Sequence, residues 1–423
     1  MLRRIQHLVT AKRGLEAAAL FTVVSSVLTG ILIARTLGPT GRGQIVVVAT
    51  WGQALGWVCG LSVDKALIAR HGAERRRLTS MPVSSGVLVM LAFGALAALV
   101  SGFAFTGLLA DPSLCIALAL VVLGTIACDA RAAHLLVHES WGSYALLRFM
   151  QPAIYLLGCL IALSLAGPDS TAPIDLIAFA LCISVCAPPV LIGGWSRVSL
   201  RLPRRAELKE VARFSGGYHV GSVLSFLASR IDLIVVSALF GLTEVGLYAV
   251  ASSLGQLASI FGAANLMRGL TGRTRRSGID VGGLLAAAAM TVAVAASAGW
   301  LITTVYGTEF AGAGEITRYL CIGGLLFYIR QGLNGQLAGL GRTWATAWAN
   351  GVGVAAFAAL APFAHSLAQV AVFSSAAAAM STAASYVLLR RSMPQETSPT
   401  ELARQDSEST PPRTPVAANP PSR

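Results

Sequence analysis

The stretch from Phe214 to Phe240, FSGGYHVGSVLSFLASRIDLIVVSALF, decides how the rest of the chain is read. It is long and apolar enough to cross a bilayer as one helix, since roughly 20 such residues span ~30 Å of hydrocarbon. Yet it carries Arg230 and Asp232 in its second half. A charge at that depth costs ~2.5 to 3.5 kcal/mol even on a lenient insertion scale, so such residues face partners or a wet interior and mark pathways. Residues two apart on a helix point in different directions, so each is expected to meet a group on another helix.

The same apolar character recurs from end to end. Hydrophobic residues make up 55% of the 423 and charged ones only 12%. About twelve spans are expected, at 15–37, 43–69, 83–109, 113–135, 143–166, 174–196, 214–240, 242–267, 281–305, 315–340, 343–362 and 366–390. Helices satisfy their own backbone hydrogen bonds in lipid, whereas barrel strands would alternate apolar and polar residues. The fold class is therefore an all-α polytopic membrane protein.

A net charge of +13 could point to nucleic acid, but its distribution excludes that reading. Basic residues cluster at every second connection: Arg3, Arg4, Lys12 and Arg13, then Arg70, Arg75, Arg76 and Arg77, then Arg131. They continue at Arg197, Arg201, Arg204, Arg205, Lys209 and Arg213, at Arg268, Arg273, Arg275 and Arg276, at Arg342, and at Arg390 and Arg391. The intervening connections carry Asp111, Asp169, Asp175, Glu244, Glu309 and Glu315, with Arg42 the one basic exception. By the positive-inside rule both termini are cytoplasmic, and an even number of spans agrees.

The basic start is read as the flank of a first span, because the apolar run is longer than a signal peptide's and lacks a small-residue cleavage site. The seven cysteines all lie in expected spans, form no C-x-x-C pair and are read as small core residues. Beyond Arg391 the chain is rich in Pro, Ser, Thr and Glu and too polar to order itself. The organisation is thus a basic N-terminus (1–14), a six-helix unit (15–196), a basic linker (197–213), a second six-helix unit (214–390) and a disordered cytoplasmic tail (391–423).

The two units read as a duplication. Setting Leu37 against Phe240 aligns Gly38 with Gly241, Thr40 with Thr243, Gly43 with Gly246, Val47 with Val250, Gly52 with Gly255, Gln53 with Gln256 and Arg70 with Arg273. The paired glycines fall in a tight outer hairpin of each half, where glycine permits positive φ and close helix approach. Because each half has an even number of spans, the halves share an orientation and are related by an axis along the membrane normal. Gly52, Gly56 and Gly60, four apart, read as a close-packing face.

At these residues a family resemblance emerges. Ala34-Arg35-Thr36-Leu37-Gly38-Pro39-Thr40-Gly41-Arg42-Gly43-Gln44, with Gly60-Leu61 and Ala66 to Arg70, resembles the first hairpin of bacterial polysaccharide flippases of the multidrug, oligosaccharidyl-lipid and polysaccharide exporter superfamily. Arg230-Ile231-Asp232-Leu233-Ile234-Val235 and Gly241-Leu242-Thr243-Glu244-Val245-Gly246-Leu247-Tyr248 resemble that family's seventh and eighth helices. Gln44 departs from the pattern, which more usually has an aromatic there. The resemblance implies two six-helix bundles around a central cavity that opens alternately to cytoplasm and periplasm of a bacterial inner membrane. It implies an undecaprenyl-pyrophosphate-linked oligosaccharide as cargo, for surface or exopolysaccharide biosynthesis. Membrane lipids, a polysaccharide polymerase and assembly proteins are the expected neighbours, and no cofactor is expected.

Arginine's planar fork suits a multiply anionic headgroup. Arg148, Arg230 and Arg330 stand within spans, and Arg35 and Arg318 toward outer ends where they can also snorkel. The amides Gln53, Gln256, Asn265, Gln331, Asn334 and Gln336 suit sugar hydroxyls or interhelical hydrogen bonds. Asp64, Asp129 and Asp232 are the candidates for carrying a coupling proton or ion, against a structural ion-pair reading. His134 and His138 lack a convincing third ligand, so no metal is expected. The absence of a G-x-x-x-x-G-K-[ST] loop rules out P-loop nucleotide hydrolysis. Rival readings are a multidrug exporter, which calls for an acidic cavity, a membrane-embedded polymerase or glycosyltransferase, which calls for a larger outer loop, and a lipid II flippase, which typically has two further helices that the stretch before the polar tail has no room for.

Overall fold

The computed structural model describes residues 2–60, 62, 94–96, 98–100, 109, 111–138, 140–165, 173–192, 205–259, 281–340 and 342–392. Among them there is no strand. The helices are α1 (Leu2–Cys59), α2 (Pro112–Val137), α3 (Trp141–Leu165), α4 (Pro173–Leu191), α5 (Arg205–Leu239), α6 (Leu242–Gly255), α7 (Val281–Val305), α8 (Ala313–Gly339), α9 (Thr343–Leu360) and α10 (Leu367–Ser392). Eight helices among the described residues are long and apolar enough to cross a membrane. Large apolar side chains face outward, including Leu165 at 70%, Trp300 at 69% and Trp348 at 70% exposure. Such an apolar exterior is what lipid requires and water would not tolerate.

α1 is two helices rather than one. It breaks at Gly38, whose φ of 64° and ψ of −172° suit only a residue without Cβ. Pro39 then opens the second arm at the position where its missing N–H costs nothing. The two arms supply the first and second expected spans. α2 to α10, the 3-10 turn Leu257–Ser259 extending α6, fall at the fourth to the twelfth, although α6 and α8 are not among the eight helices long and apolar enough to cross. The third span, 83–109, lies mostly outside the described residues, as do 193–204, 260–280 and the tail from 393. α5 already begins at Arg205, so residues 205–213, expected as linker, are its opening turns.

The helices gather into two bundles. In the first, α1 packs on α2 and α3, which both pack on α4. In the second, α10 packs on α8 and α9, α7 packs on α8, α9 on α5, and α6 on α8. The bundles meet mainly where α1 runs against α6 and α5. A Cβ at Gly52 or Gly56 would collide with Val121 or Thr125 of α2, so these small residues set the spacing of α1 and α2. All seven cysteines are free thiols, five of them buried.

Connections expected on the outer side share one end of the molecule. There Ser113 Oγ donates to Asp175 Oδ1 at 2.5 Å, joining the starts of α2 and α4. Thr40 and Thr243 touch at the same kind of connection. Arg131 differs from its reading as a loop charge. It is only 2% exposed, with Nη2 donating to the Ile192 carbonyl at 2.9 Å and Nη1 lying 3.1 Å from His134 Nδ1. Its long side chain folds into the first bundle and caps the end of α4.

Candidate functional site

On α5, His219, Phe226, Arg230 and Ser237 recur at helical spacing and form one stripe. Three of the four meet the chain of α1 and its continuation. His219 Nδ1 lies 3.5 Å from Ser62 Oγ, the Phe226 ring centroid 5.5 Å from that of Trp57, and Ser237 Oγ accepts from Trp51 Nε1 at 2.9 Å. Arg230 therefore stands on the seam between the bundles, between the levels of Trp57 and Trp51. Its side chain is half-buried and makes no hydrogen bond or ion pair within 4 Å among the described residues. A guanidinium has five donors and no acceptor, and Asp232, two residues on, is its electrostatic neighbour.

Asp232 turns the other way. It is 5% exposed inside the second bundle, where Oδ1 accepts from the Leu233 amide at 2.8 Å and Oδ2 from Tyr248 Oη at 2.9 Å and Ser374 Oγ at 3.0 Å. This carboxylate joins α5, α6 and α10. Arg330 also lies inside the second bundle, 3% exposed. Its Nη1 donates to Ser381 Oγ at 3.3 Å, its Nη2 to the Ala228 carbonyl at 3.5 Å, and its Cζ lies 4.7 Å from the Phe327 ring centroid. It does not share the seam with Arg230. It instead holds the backbone of α5 two residues away, and its described partners are all uncharged.

Arg148 and Asp129 face each other across α3 and α2, Nη2 to Oδ1 3.9 Å, with side chains 44% and 23% exposed. Arg148 also donates from Nε to Tyr144 Oη at 3.4 Å. A pair this open to solvent contributes little stability, on the order of 0 to 1 kcal/mol. Arg35 is exposed and ties the bundles together at the outer end. Its Nε donates to the Val305 carbonyl at 2.8 Å and its Nη2 to the Thr304 carbonyl, capping the C-terminus of α7. Arg318 is exposed, in keeping with a snorkelling side chain.

Of the amides, Gln53 is exposed, and Gln256 is half-buried with Nε2 donating to Ser252 Oγ at 3.1 Å. Asn334 is half-buried, its Oδ1 accepting from Ser385 Oγ at 3.0 Å. Gln331 Oε1 is buried without a donor among the described residues. Asp64 and Asn265 lie outside the described residues. Sequence reasoning did not single out Ser374 or Tyr248 as partners of Asp232. Ser374 sits in an Ala- and Ser-rich helix that gives no distinguishing signal, whereas Tyr248 stood within the stretch that carries the family resemblance.

Residues 15–270 match a family model described as "Polysaccharide biosynthesis protein". Comparison with curated proteins gives no match. Among solved structures, the fold is similar to the lipid II flippase MurJ in an inward closed conformation, with TM-score 0.71 and 12% identity over 88% of this chain and 87% of that one. It is similar to an inward-facing multidrug resistance MATE family transporter of the MOP superfamily, with TM-score 0.58 and 12% identity over 92% and 96%. It is also similar to a MOP superfamily transporter from Pyrococcus furiosus described as having a binding pocket of reverse polarity, with TM-score 0.53 and 13% identity over 90% and 94%. At such identities these likenesses establish the fold. The match over more than half of its length places the chain in the polysaccharide biosynthesis protein family, as a multi-pass membrane protein whose fold is similar to those of MurJ and the MATE transporters.

Proposed function

We propose that the protein flips an undecaprenyl-pyrophosphate-linked oligosaccharide from the cytoplasmic to the periplasmic leaflet of a bacterial inner membrane, by alternating access, for surface or exopolysaccharide synthesis. The observation that carries this reading is Arg230: a guanidinium on the seam between two bundles, with no hydrogen-bonded partner among the described residues, while the oxygens of the neighbouring Asp232 are bonded to Tyr248 and Ser374 of the second bundle. Asp232 still acts on Arg230 electrostatically, but its oxygens are taken by donors of the second bundle, so the guanidinium keeps its own donors open on the seam. An anionic headgroup would pair with Arg230 while its sugars meet amides such as the exposed Gln53, and the lipid tail would stay in the bilayer.

Arg330 would act from inside the second bundle, fixing α5 beneath Arg230 through the Ala228 carbonyl. Asp232, with donors from three sources, would be the point at which a coupling ion or proton engages α5, α6 and α10. Arg148 with Asp129 would offer a first, solvent-accessible cation near the cytoplasmic side. The test is export of lipid-linked repeat units in cells expressing Arg230→Ala or Arg230→Gln, with membrane abundance measured in parallel. Loss of export at normal abundance supports the reading, and unchanged export removes Arg230 from it.

A further inference from the structure

Arg42 is a second cation that the fold leaves unanswered. It is the basic exception among the outer connections, against the charge asymmetry that orients the rest of the chain. It lies in the first turn of the second arm of α1, which begins at Pro39, where the helix dipole already presents positive charge. The nearby acid Glu309 lies against Gly38 at that same helix start and makes no ion pair with Arg42. Arg42 is half-buried, with no hydrogen bond or ion pair among the described residues, and its Nε is fully buried without an acceptor.

The surroundings are shaped for the guanidinium. It packs against Gly30 of the first arm, where a Cβ would come within 3.1 Å of Nη2 and 3.6 Å of Cζ. Tyr155 and Cys159 of α3 and Tyr306, just beyond α7, lie within electrostatic reach of it. Tyr155 and Cys159 belong to the first bundle and Tyr306 to the second. The Tyr155 hydroxyl shares a hydrogen bond with Cys159, and a phenol hydroxyl can turn to donate to an oxyanion, so the cation and the phenols of both bundles could be shared by a bound anion. Holding a cation at the positive end of a helix and half-desolvated costs stability, and a bound anion would offset that cost.

We propose that Arg42, with Tyr155 and Tyr306, forms an outer oxyanion subsite. It would receive the phosphate or an acidic sugar carboxylate of the cargo after it leaves Arg230, and it would be broken as the outer ends of the bundles part. The subsite rests on the reading of an anionic cargo given above, but it adds a separate site at the opposite end of the path.

The test uses the full-length protein in lipid nanodiscs, with the thermal unfolding midpoint followed by tryptophan fluorescence as inorganic pyrophosphate or glucuronate is titrated. Nanodiscs of phosphatidylcholine alone and with phosphatidylglycerol distinguish a cargo-type oxyanion from a lipid headgroup. Arg230→Gln should leave a residual, saturable response, and adding Arg42→Gln should weaken it at least fivefold. Arg42→Lys should retain part of it. Gly30→Ala, which is compatible with the helix but crowds the guanidinium, should weaken it without altering abundance. Pyrophosphate outcompeting glucuronate would identify the phosphate, the reverse would identify an acidic sugar, and a response requiring phosphatidylglycerol alone would assign the cradle to lipid and overturn the proposal. A residual response unchanged by Arg42→Gln, no residual response in Arg230→Gln, or no response in the wild type would also overturn it. The first two leave Arg230 and the proposed function standing.

Discussion

Thr40 and Thr243, the same position in the two halves of the duplication, meet hydroxyl to hydroxyl at 2.8 Å across 203 residues of sequence. Equivalent residues can touch in this way only where the axis relating the halves passes between them. The neighbouring contacts repeat the symmetry. A Cβ at Gly43 would collide with the Leu242 carbonyl, and one at Gly246 with the Pro39 carbonyl, each contact being the 203-residue image of the other. The two hairpins thus close the outer end backbone against backbone. Only glycine allows this approach, because a carbonyl on a helix cannot retreat as a side-chain tip can.

Substituting either glycine should therefore force the outer end apart. In a Thr40→Cys, Thr243→Cys pair, mild oxidation is expected to form a disulfide detectable by peptide mapping, since the hydroxyls are already in contact. Adding Gly246→Ala should cut the yield several-fold. An unchanged yield would mean that the glycines do not hold the hairpins together.

Arg35 should act as a latch of the same closed end. Its hydrogen bonds to the Thr304 and Val305 carbonyls join the two bundles, but the side chain is exposed. A contribution of about 1 kcal/mol is reasonable after solvent screening. Arg35→Ala should raise amide hydrogen exchange across 304–310 by roughly fivefold, and Arg35→Lys should recover part of the protection. Exchange that does not change would make the contact incidental.

The carboxylate of Asp232 should matter as a charge more than as a packing group. Asp232→Asn keeps the shape and can still bond the Tyr248 and Ser374 hydroxyls, so abundance is expected to stay near normal while export falls at least tenfold. Tyr248→Phe removes one of three donors and should cost about 1 to 2 kcal/mol of stability. Normal export by the Asn variant would return Asp232 to a purely structural role.

The charge asymmetry also makes a direct prediction. A reporter active only in the periplasm should work when fused near Asp169 or Glu309 and stay silent near Arg205 or Arg275. The opposite pattern would invert the molecule in the membrane.

Much of the architecture could be read from the residues because its causes are local. Continuous apolar runs give helices, and Gly38-Pro39 gives the hairpin. The spacing of Gly38, Thr40 and Gly43 against Gly241, Thr243 and Gly246 gives the repeat and its axis. The division of the arginines was less legible. Arg230 and Arg330 look alike in sequence, each deep in an apolar run, yet one reaches the seam and the other is sealed within the second bundle. A helix that is apolar all round does not state which side meets its neighbours, because lipid and protein interior select the same residues. Only the contacts of His219, Phe226 and Ser237 with the chain of α1 reveal which stripe of α5 faces the other bundle. Arg42 did leave a sequence signal, the one basic residue among acidic outer connections, but its cradle over Gly30 depends on the fold of the hairpin.

The most direct measurement of the central claim is the export rate of lipid-linked repeat units by cells carrying Arg230→Ala, Arg230→Lys or the wild-type chain at matched membrane abundance. A charge-assisted contact contributes ~1.5 to 3 kcal/mol, so the Ala variant should export roughly ten- to a hundredfold more slowly. Lys restores charge without the fork and should recover only part of the rate. Wild-type export by Arg230→Ala at wild-type abundance would contradict a role for the seam cation in carrying an anionic cargo.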